Sequence, residues 1–195
     1  MKHIKQFDAV VCGAGHAGVE AALILNRFKI PTALITIDPL AIGRMSCNPA
    51  IGGLAKGQIV KEIDVLGGIM GKATDYSALQ YKILNKSKGK SVWSPRAQVD
   101  KRTYEGFINK TIKKAKHITV LQGEIVDIVT DNGVVTAAIM RDGQTIGCST
   151  LILTCGTFLN GLVHVGQKKI RAGRMGENAA EGITESLLSL GFKSG

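Results

Sequence analysis

The chain has 195 residues, 45% hydrophobic and 21% charged, which is enough apolar material for one large domain. Its net charge is +10, and residues 82–116 alone hold 11 Lys/Arg against 2 Asp/Glu, so nearly all of the excess lies there. No apolar run is long enough to span a membrane, and four cysteines without C-x-x-C spacing argue against zinc. We expect no signal peptide before the first predicted strand. We therefore expect a cytoplasmic protein with no metal site.

The N-terminal segment has the pattern of a βαβ unit. A short apolar run at Phe7–Cys12 predicts a buried strand, and apolar residues at helical spacing predict a helix from Ala17 to Phe28. The β-branched run Thr32–Ile37 predicts a second strand. This succession favours an α/β fold, a Rossmann-like parallel sheet flanked by helices.

The middle of the chain is less regular. We predict a loop over Asp38–Gly57, a helix over Gln58–Leu66 and a long basic helix over Arg96–Lys116. The positive charge of residues 82–116 has two interpretations, a surface that binds a polyanion or a solvated basic face.

The residue pattern in the last third of the chain predicts mainly strands. Ile118–Leu121 is expected to be a strand of the parallel sheet, and Leu151–Thr154 a last buried strand. Between them, three alternating segments near 124–130, 134–140 and 144–148 are separated by Asn-Gly and Asp-Gly turns. We expect these three segments to form a β-meander inserted before the final strand.

A glycine-rich motif joins the first predicted strand to the first helix. It fits G-x-G-x-x-G, and its residues are Gly13, Ala14, Gly15, His16, Ala17 and Gly18. In a dinucleotide-binding loop the first glycine permits a tight turn, the second lets the backbone approach a pyrophosphate, and the third allows close helix–strand packing. We expect all six residues to form a cofactor loop; the alternative is a structural glycine turn.

The second predicted strand lacks the acidic residue that usually holds the cofactor ribose. Thr36 occupies its place, and Asp38 follows two residues later. The ribose would then be bound by the Thr36 hydroxyl or by a backbone group. This departure weakens a simple NAD interpretation more than a flavin one.

Cys47 differs in setting from the other three cysteines. It lies in the polar loop Gly43–Gly53, three residues after Arg44. A neighbouring cation and loop N–H groups can lower the pKa of a thiol and favour a nucleophilic thiolate. The sequence leaves two interpretations open, a reactive cysteine or an inert loop residue.

Several longer motifs resemble the N-terminal part of the MnmG (GidA) family. These motifs follow the glycine motif in the same order and spacing as in the family. They are Met45–Gly53, Lys61–Gly68, Ile83–Gly89, Arg96–Asp100 and Thr154–Gly161. The resemblance implies an FAD-dependent enzyme that, with its GTPase partner MnmE, adds a carboxymethylaminomethyl group to carbon 5 of the tRNA wobble uridine. It further implies NADH as reductant, tRNA contact for the basic stretch, and a homodimer at full length.

The resemblance also implies roles for individual residues. Cys47 corresponds to a candidate catalytic cysteine, and a thiolate that attacks carbon 6 of uracil would make carbon 5 nucleophilic. Flavin contacts are expected at Gly156 and near Ile125, where the backbone matters more than the side chain.

Family members are much longer than this chain, so we expect residues 1–195 to be the N-terminal part of an FAD-binding domain. Two other functions stay open at this point. One is a flavin-dependent oxidoreductase that acts on a small molecule, and the other is an inactive module that retains tRNA binding.

Overall fold

The computed structural model describes residues 5–45, 48–173 and 180–193. The α-helices in these ranges are α1 His16–Arg27, α2 Lys56–Val65, α3 Met70–Ser77, α4 Lys101–Lys114 and α5 Ile183–Ser189. The β-strands are β1 Lys5–Gln6, β2 Ala9–Cys12, β3 Thr32–Thr36, β4 Ala50–Gly52, β5 Ala78–Leu84, β6 Ser94–Val99, β7 Ile118–Gln122, β8 Ile125–Asp131, β9 Val134–Met140, β10 Thr145–Gly147, β11 Thr150–Leu153, β12 Leu162–Val165 and β13 Lys168–Arg171. Among the described residues, no helix combines the length and apolar composition that crossing a bilayer requires.

A four-stranded parallel sheet lies at the centre of the fold. Its strand order is β11-β2-β3-β7, and every neighbouring pair runs parallel. Helix α1 is the crossover from β2 to β3, as parallel neighbours require. All four residues of β2 are buried because both faces of the sheet are covered. The predicted α/β fold is therefore confirmed.

The two faces of this sheet pack against different layers. Val11 and Leu34 face helices α1 and α4, where Val19 and Tyr104 belong to the same buried cluster. Residues of the opposite face pack against the β8–β10 strands, and the buried cluster there includes Val10, Ile35, Ile125, Ala138 and Ile146. The chain thus has a helical layer, a parallel sheet and a second sheet.

The second sheet contains the predicted meander. Strands β8, β9 and β10 pair antiparallel in chain order, and the short strand β1 adds to β10 in parallel. All three predicted strands are present within two residues of their expected bounds. The insertion of this meander before β11 is as the sequence predicted.

The prediction of one basic helix over Arg96–Lys116 was wrong at its N-terminal end. Residues Ser94–Val99 form strand β6, the centre of an antiparallel sheet of order β4-β6-β5, and α4 begins only at Lys101. Asp100 separates the two elements, because its carboxylate accepts a hydrogen bond of 2.7 Å from the Thr103 backbone N–H. This N-cap starts the helix and ends the strand.

The Asp38–Gly57 segment was predicted as a loop but contains regular structure. Residues Pro39–Ala41 form a 3-10 helix, and Ala50–Gly52 form β4 at the edge of the antiparallel sheet. Helix α2 begins at Lys56, two residues before the predicted start. Three-residue elements carry too little hydrophobic periodicity for the sequence to reveal them.

One carboxylate of α1 holds the start of α3. Glu20 of α1 accepts hydrogen bonds from the backbone N–H groups of Ile69 and Met70, at 3.0 and 2.8 Å. These are the first amides of α3, which have no partner inside the helix and favour a nearby negative charge. Helix α3 is therefore positioned by a side chain of the helix that follows the glycine motif.

Candidate functional site

The carboxyl ends of β2, β3 and β11 meet at one edge of the parallel sheet. The glycine motif leaves this edge after Cys12, Thr36 ends β3, and Gly156 begins the turn that follows β11. Ligands of open α/β sheets bind outside the carboxyl ends of the strands. The structure therefore brings the predicted cofactor loop, Thr36 and Gly156 to the same edge.

Gly13 and Gly18 are required by close packing inside the loop. Gly13 has φ of +102°, and a Cβ there would lie 2.6 Å from the Thr154 carbonyl oxygen. A Cβ at Gly18 would lie 1.8 Å from the Gly13 carbonyl oxygen and 2.8 Å from Thr154 Oγ1. Both contacts are shorter than side chains tolerate, so these two positions fit the roles that the motif predicts for its first and third glycines.

Gly15 and Gly156 are not required by packing, although the φ of Gly156 is +59°, a left-handed conformation that favours glycine. Both are exposed, and a Cβ added to either would meet no atom within 4 Å. Gly15 has ordinary extended backbone, with φ −69° and ψ −171°, so its conformation does not require glycine. The absence of side chains leaves open space beside two loops that follow neighbouring strands.

The amino end of α1 faces this open space. Gly15 is the N-cap residue, and within the described ranges no side chain caps the helix. Its first N–H groups and the helix dipole are therefore suited to an anion. Ala17 is exposed, whereas Ala14 is buried and its carbonyl accepts a 2.9 Å hydrogen bond from the Gly43 N–H.

His16 has a different environment from its neighbours in the motif. Its ring packs against Tyr104 of α4, with ring centroids 5.7 Å apart and planes tilted by 39°. Burial raises the pKa of Tyr104, so this phenol stays neutral. The contact places the imidazole against the helical layer.

Thr36 and Asp38 follow the second strand as expected, but Asp38 is already engaged. Its carboxylate accepts from the Leu40 N–H at 2.8 Å and pairs with Arg44 at 3.2 Å. The Thr36 hydroxyl donates to the Asp38 carbonyl at 3.3 Å, which leaves its oxygen able to accept. Of the two side chains, Thr36 is the better placed for a ribose.

Ile125 begins β8 and is 1% exposed, so its side chain belongs to the core. The preceding Glu124 accepts two hydrogen bonds from Arg141, at 2.6 and 2.8 Å, and one from the Glu181 N–H at 3.0 Å. The Arg141 guanidinium is the main reason that the pKa of Glu124 is lowered. Any ligand contact at Ile125 must therefore use the backbone.

Cys47, the predicted catalytic residue, lies outside the described residues. The described residues on either side are attached to the core. The Met45 N–H donates to the Glu105 carboxylate of α4 at 3.1 Å, and the Pro49 carbonyl accepts from the Val99 N–H at 2.8 Å.

Thr154 is a structural part of the site that the sequence analysis missed. Its hydroxyl donates to the carbonyl oxygens of Cys12 and Gly13, at 2.8 and 3.0 Å, and so joins the end of β11 to the glycine motif. A hydroxyl residue directly after an apolar strand was the available signal. Its partners lie more than 140 positions away in the sequence, so the pattern alone could not identify them.

The basic stretch 82–116 runs through the end of β5, β6 and α4, and it contains 11 Lys/Arg against 2 Asp/Glu. Its cations on α4, among them Lys110, Lys113 and Lys114, are exposed. Among the described residues, no ion pair involves a cation of this stretch. The pairs found there are Asp38–Arg44, Glu124–Arg141 and Glu181–Arg171. The uncompensated charge is available to a polyanion.

These features define the class of protein. A parallel sheet with a G-x-G-x-x-G loop between its first strand and helix, and a meander on its second face, is a Rossmann-like α/β domain. The family model described as "Glucose inhibited division protein A" matches residues 8–195. The chain belongs to this family, as its motifs predicted.

Individual relatives agree with this assignment. The chain is 47% identical over 191 residues to the tRNA uridine 5-carboxymethylaminomethyl modification enzyme MnmG of Thermodesulfovibrio yellowstonii, and 48% identical over 190 residues to that of Chlorobaculum tepidum. The alignments cover 98% and 97% of this chain, and 31% of each relative. A crystal structure of Aquifex aeolicus GidA superposes with a TM-score of 0.92 at 44% identity, covering 97% of this chain and 31% of that one. The chain thus spans about a third of the length of these relatives.

Proposed function

We propose that this chain is the FAD-binding part of an enzyme that modifies carbon 5 of the tRNA wobble uridine. The observation that carries the proposal is the open edge of the parallel sheet, where Gly15 and Gly156 are exposed and lack steric neighbours. Membership in a family whose relatives are named for tRNA uridine modification supports the reaction class. The substrate would place the activity in the cytoplasm.

The residues at this edge fit a flavin dinucleotide. The Gly13–Gly18 loop would hold the pyrophosphate through backbone N–H groups, the Thr36 hydroxyl would accept from a ribose, and Gly156 would let a second loop approach the cofactor. When bound, FAD supplies the redox chemistry of the modification. The protein's contribution at this edge is to bind and orient the cofactor through backbone groups.

The direct test is a calorimetric titration of the 195-residue chain with FAD, with NAD as the comparison. Saturable binding of one FAD per chain, tighter than that of NAD, is the expected result. A folded chain that shows no saturable FAD binding would contradict the claim that these residues form the flavin site.

We further propose that the basic stretch binds the tRNA backbone. Replacing Lys113 and Lys114 together by Gln removes two exposed positive charges from the end of α4. Because each lost phosphate contact lowers counterion release, we expect weaker tRNA binding and a salt-dependence slope reduced by about 0.7–0.9 per contact. Fluorescence anisotropy with labelled tRNA at several salt concentrations measures both quantities.

The matched control replaces Lys168 and Lys169 by Gln. These two lysines are also adjacent in sequence and exposed, but lie on β13, outside the basic stretch. The proposal expects this control to keep most of the tRNA affinity. Equal losses in the two double variants would mean that total charge, rather than this surface, governs binding.

Cys47 is proposed as the thiol that adds to carbon 6 of uracil. Its support is its neighbour Arg44 in a polar loop and the family resemblance of that loop. In an enzyme that carries this segment with the rest of the family's length, Cys47→Ser should lower nucleoside modification by about 10³-fold while FAD stays bound. Mass spectrometry of digested tRNA measures this loss, and modification at the wild-type rate would exclude Cys47 from the chemistry.

The remaining partners follow from the same proposal. NADH would reduce the flavin, the GTPase MnmE would act with this enzyme, and the full-length protein would be a homodimer. All three rest on the family resemblance of the sequence motifs.

A further inference from the structure

Two cysteines lie at the base of the loops that form the open edge. Cys12 is the last residue of β2, directly before Gly13, and Cys155 follows β11, directly before Gly156. Their Sγ atoms are 3.6 Å apart although the residues are 143 positions apart in the sequence. Cys148, the other cysteine of the described residues, is buried in the same apolar cluster.

The two sulfurs have different environments. Cys12 is 8% exposed, whereas Cys155 is partly exposed. The hydrogen bond between them lowers the pKa of Cys155 to about 7 and raises that of Cys12, which keeps its proton. Glu124 is the charged group near both sulfurs, and its repulsion opposes a thiolate at either position. Near neutral pH, the more accessible sulfur is therefore substantially thiolate and has a protonated thiol beside it.

We propose that Cys12 and Cys155 form a redox-active dithiol that closes to an intramolecular disulfide. This modification site does not depend on FAD binding or on Cys47. A disulfide needs an S–S distance of about 2.05 Å, so the two sulfurs must approach by about 1.5 Å from their positions in the dithiol form. Thr154 already joins the ends of the same two strands, so the bond would link segments that are held together.

A peroxide is the oxidant that this arrangement suits. The Cys155 thiolate attacks one peroxide oxygen, the O–O bond breaks, and a sulfenic acid forms while the departing hydroxide becomes water. The Cys12 thiol then attacks the Cys155 sulfur, the S–S bond forms, and the hydroxyl of the sulfenic acid leaves as water with the thiol proton. Two thiols and one hydrogen peroxide give one disulfide and two waters, and two electrons pass to the peroxide.

The bond would connect the turn before the glycine loop directly to the turn before Gly156. Both turns belong to the proposed flavin site, so a covalent link here would join two of its loops. The dithiol is thus a modification site at the base of the open edge.

The test uses the reduced 195-residue chain. Stoichiometric hydrogen peroxide is added, free thiols are alkylated, and peptides are mapped by mass spectrometry without reduction. We expect the loss of two of the four alkylatable thiols, a single cross-linked peptide pair that contains Cys12 and Cys155, and full reversal by dithiothreitol. In Cys12→Ser, dimedone should instead trap a sulfenic acid on Cys155, because the resolving thiol is absent.

Cys148→Ser is the matched control, since it removes a buried cysteine that is outside the pair. It should form the same disulfide at the same rate. A cross-link that includes Cys148 or Cys47, or four thiols that all remain alkylatable in the folded wild-type chain at that peroxide concentration, would overturn the proposal. The peptide map of the wild-type chain needs no substitution, so it tests the Cys12–Cys155 disulfide even if a variant fails to fold.

Discussion

Gly18→Ala is expected to destabilise the chain by about 3 kcal/mol or more, although alanine is the better helix former. In the interior of a helix, Gly→Ala usually adds about 1 kcal/mol of stability. At Gly18, however, the new Cβ would lie 1.8 Å from the Gly13 carbonyl oxygen, and a backbone atom of a tight turn cannot move aside cheaply. The steric term therefore exceeds the gain in helix propensity. Urea unfolding followed by far-UV circular dichroism measures the change.

The same substitution in α4 provides the control. Gly106 lies within that helix, and a Cβ there would meet no atom within 4 Å. Gly106→Ala should therefore raise the free energy of unfolding by up to about 1 kcal/mol. Opposite signs for the two variants are expected. A stabilised Gly18→Ala would show that α1 does not pack against the Gly13 turn as the structure has it.

The parallel sheet was predictable because its signals are local. Ala9–Cys12 is a continuous apolar run and Thr32–Ile37 is mostly β-branched, as expected of strands that are buried on both faces. The glycine motif occupies the turn between a strand and a helix. The meander was equally predictable, because alternating segments separated by Asn-Gly and Asp-Gly turns are compatible with few other folds.

The antiparallel sheet was not predictable from the same signals. Strand β5 exposes Leu79, Tyr81 and Ile83, so its pattern does not distinguish a core face from a solvent face. The Arg96–Lys116 segment was predicted as one helix. The Asp100 cap instead divides the segment into a strand and a helix. Residues Ser94–Val99 adopt the strand conformation because they pair with β4 and β5.

The candidate site divides in a similar way. Gly13, Gly15 and Gly18 could be recognised as one G-x-G-x-x-G turn from their spacing alone, and the structure gives Gly13 and Gly18 close-packing roles in that turn. The Thr154 hydroxyl and the Cys12–Cys155 pair could not, because their partners are brought together only by the pairing of β11 with β2. Parallel neighbours separated by a long crossover leave no trace of their register in a single sequence.

Gly15→Val is expected to abolish flavin binding while leaving the fold intact. The φ and ψ of Gly15 lie in the extended region that β-branched residues favour, and the new side chain would project into open space. Because Gly15 is also the N-cap residue of α1, where valine is a poorer cap than glycine, the free energy of unfolding should fall by about 1 kcal/mol while the chain stays folded. Because the valine methyl groups would occupy the space into which a pyrophosphate must come, we expect the affinity for FAD to fall at least roughly 100-fold, or about 2.7 kcal/mol.

Gly106→Val adds the same side chain at an exposed position of α4 and should leave FAD affinity unchanged. Calorimetric titration of both variants with FAD, together with urea unfolding, separates a steric block from a loss of structure. Unchanged FAD affinity in a folded Gly15→Val chain would place the cofactor away from this loop. A loss of stability of several kcal/mol, well beyond this N-cap cost, would mean that Gly15 supports the turn itself, and the open space beside it would no longer be evidence for a ligand. The comparison of Gly15 with Gly18 thus tests one loop in two ways, because the proposal assigns the second glycine of the motif to the ligand, whereas close packing in the fold requires the third.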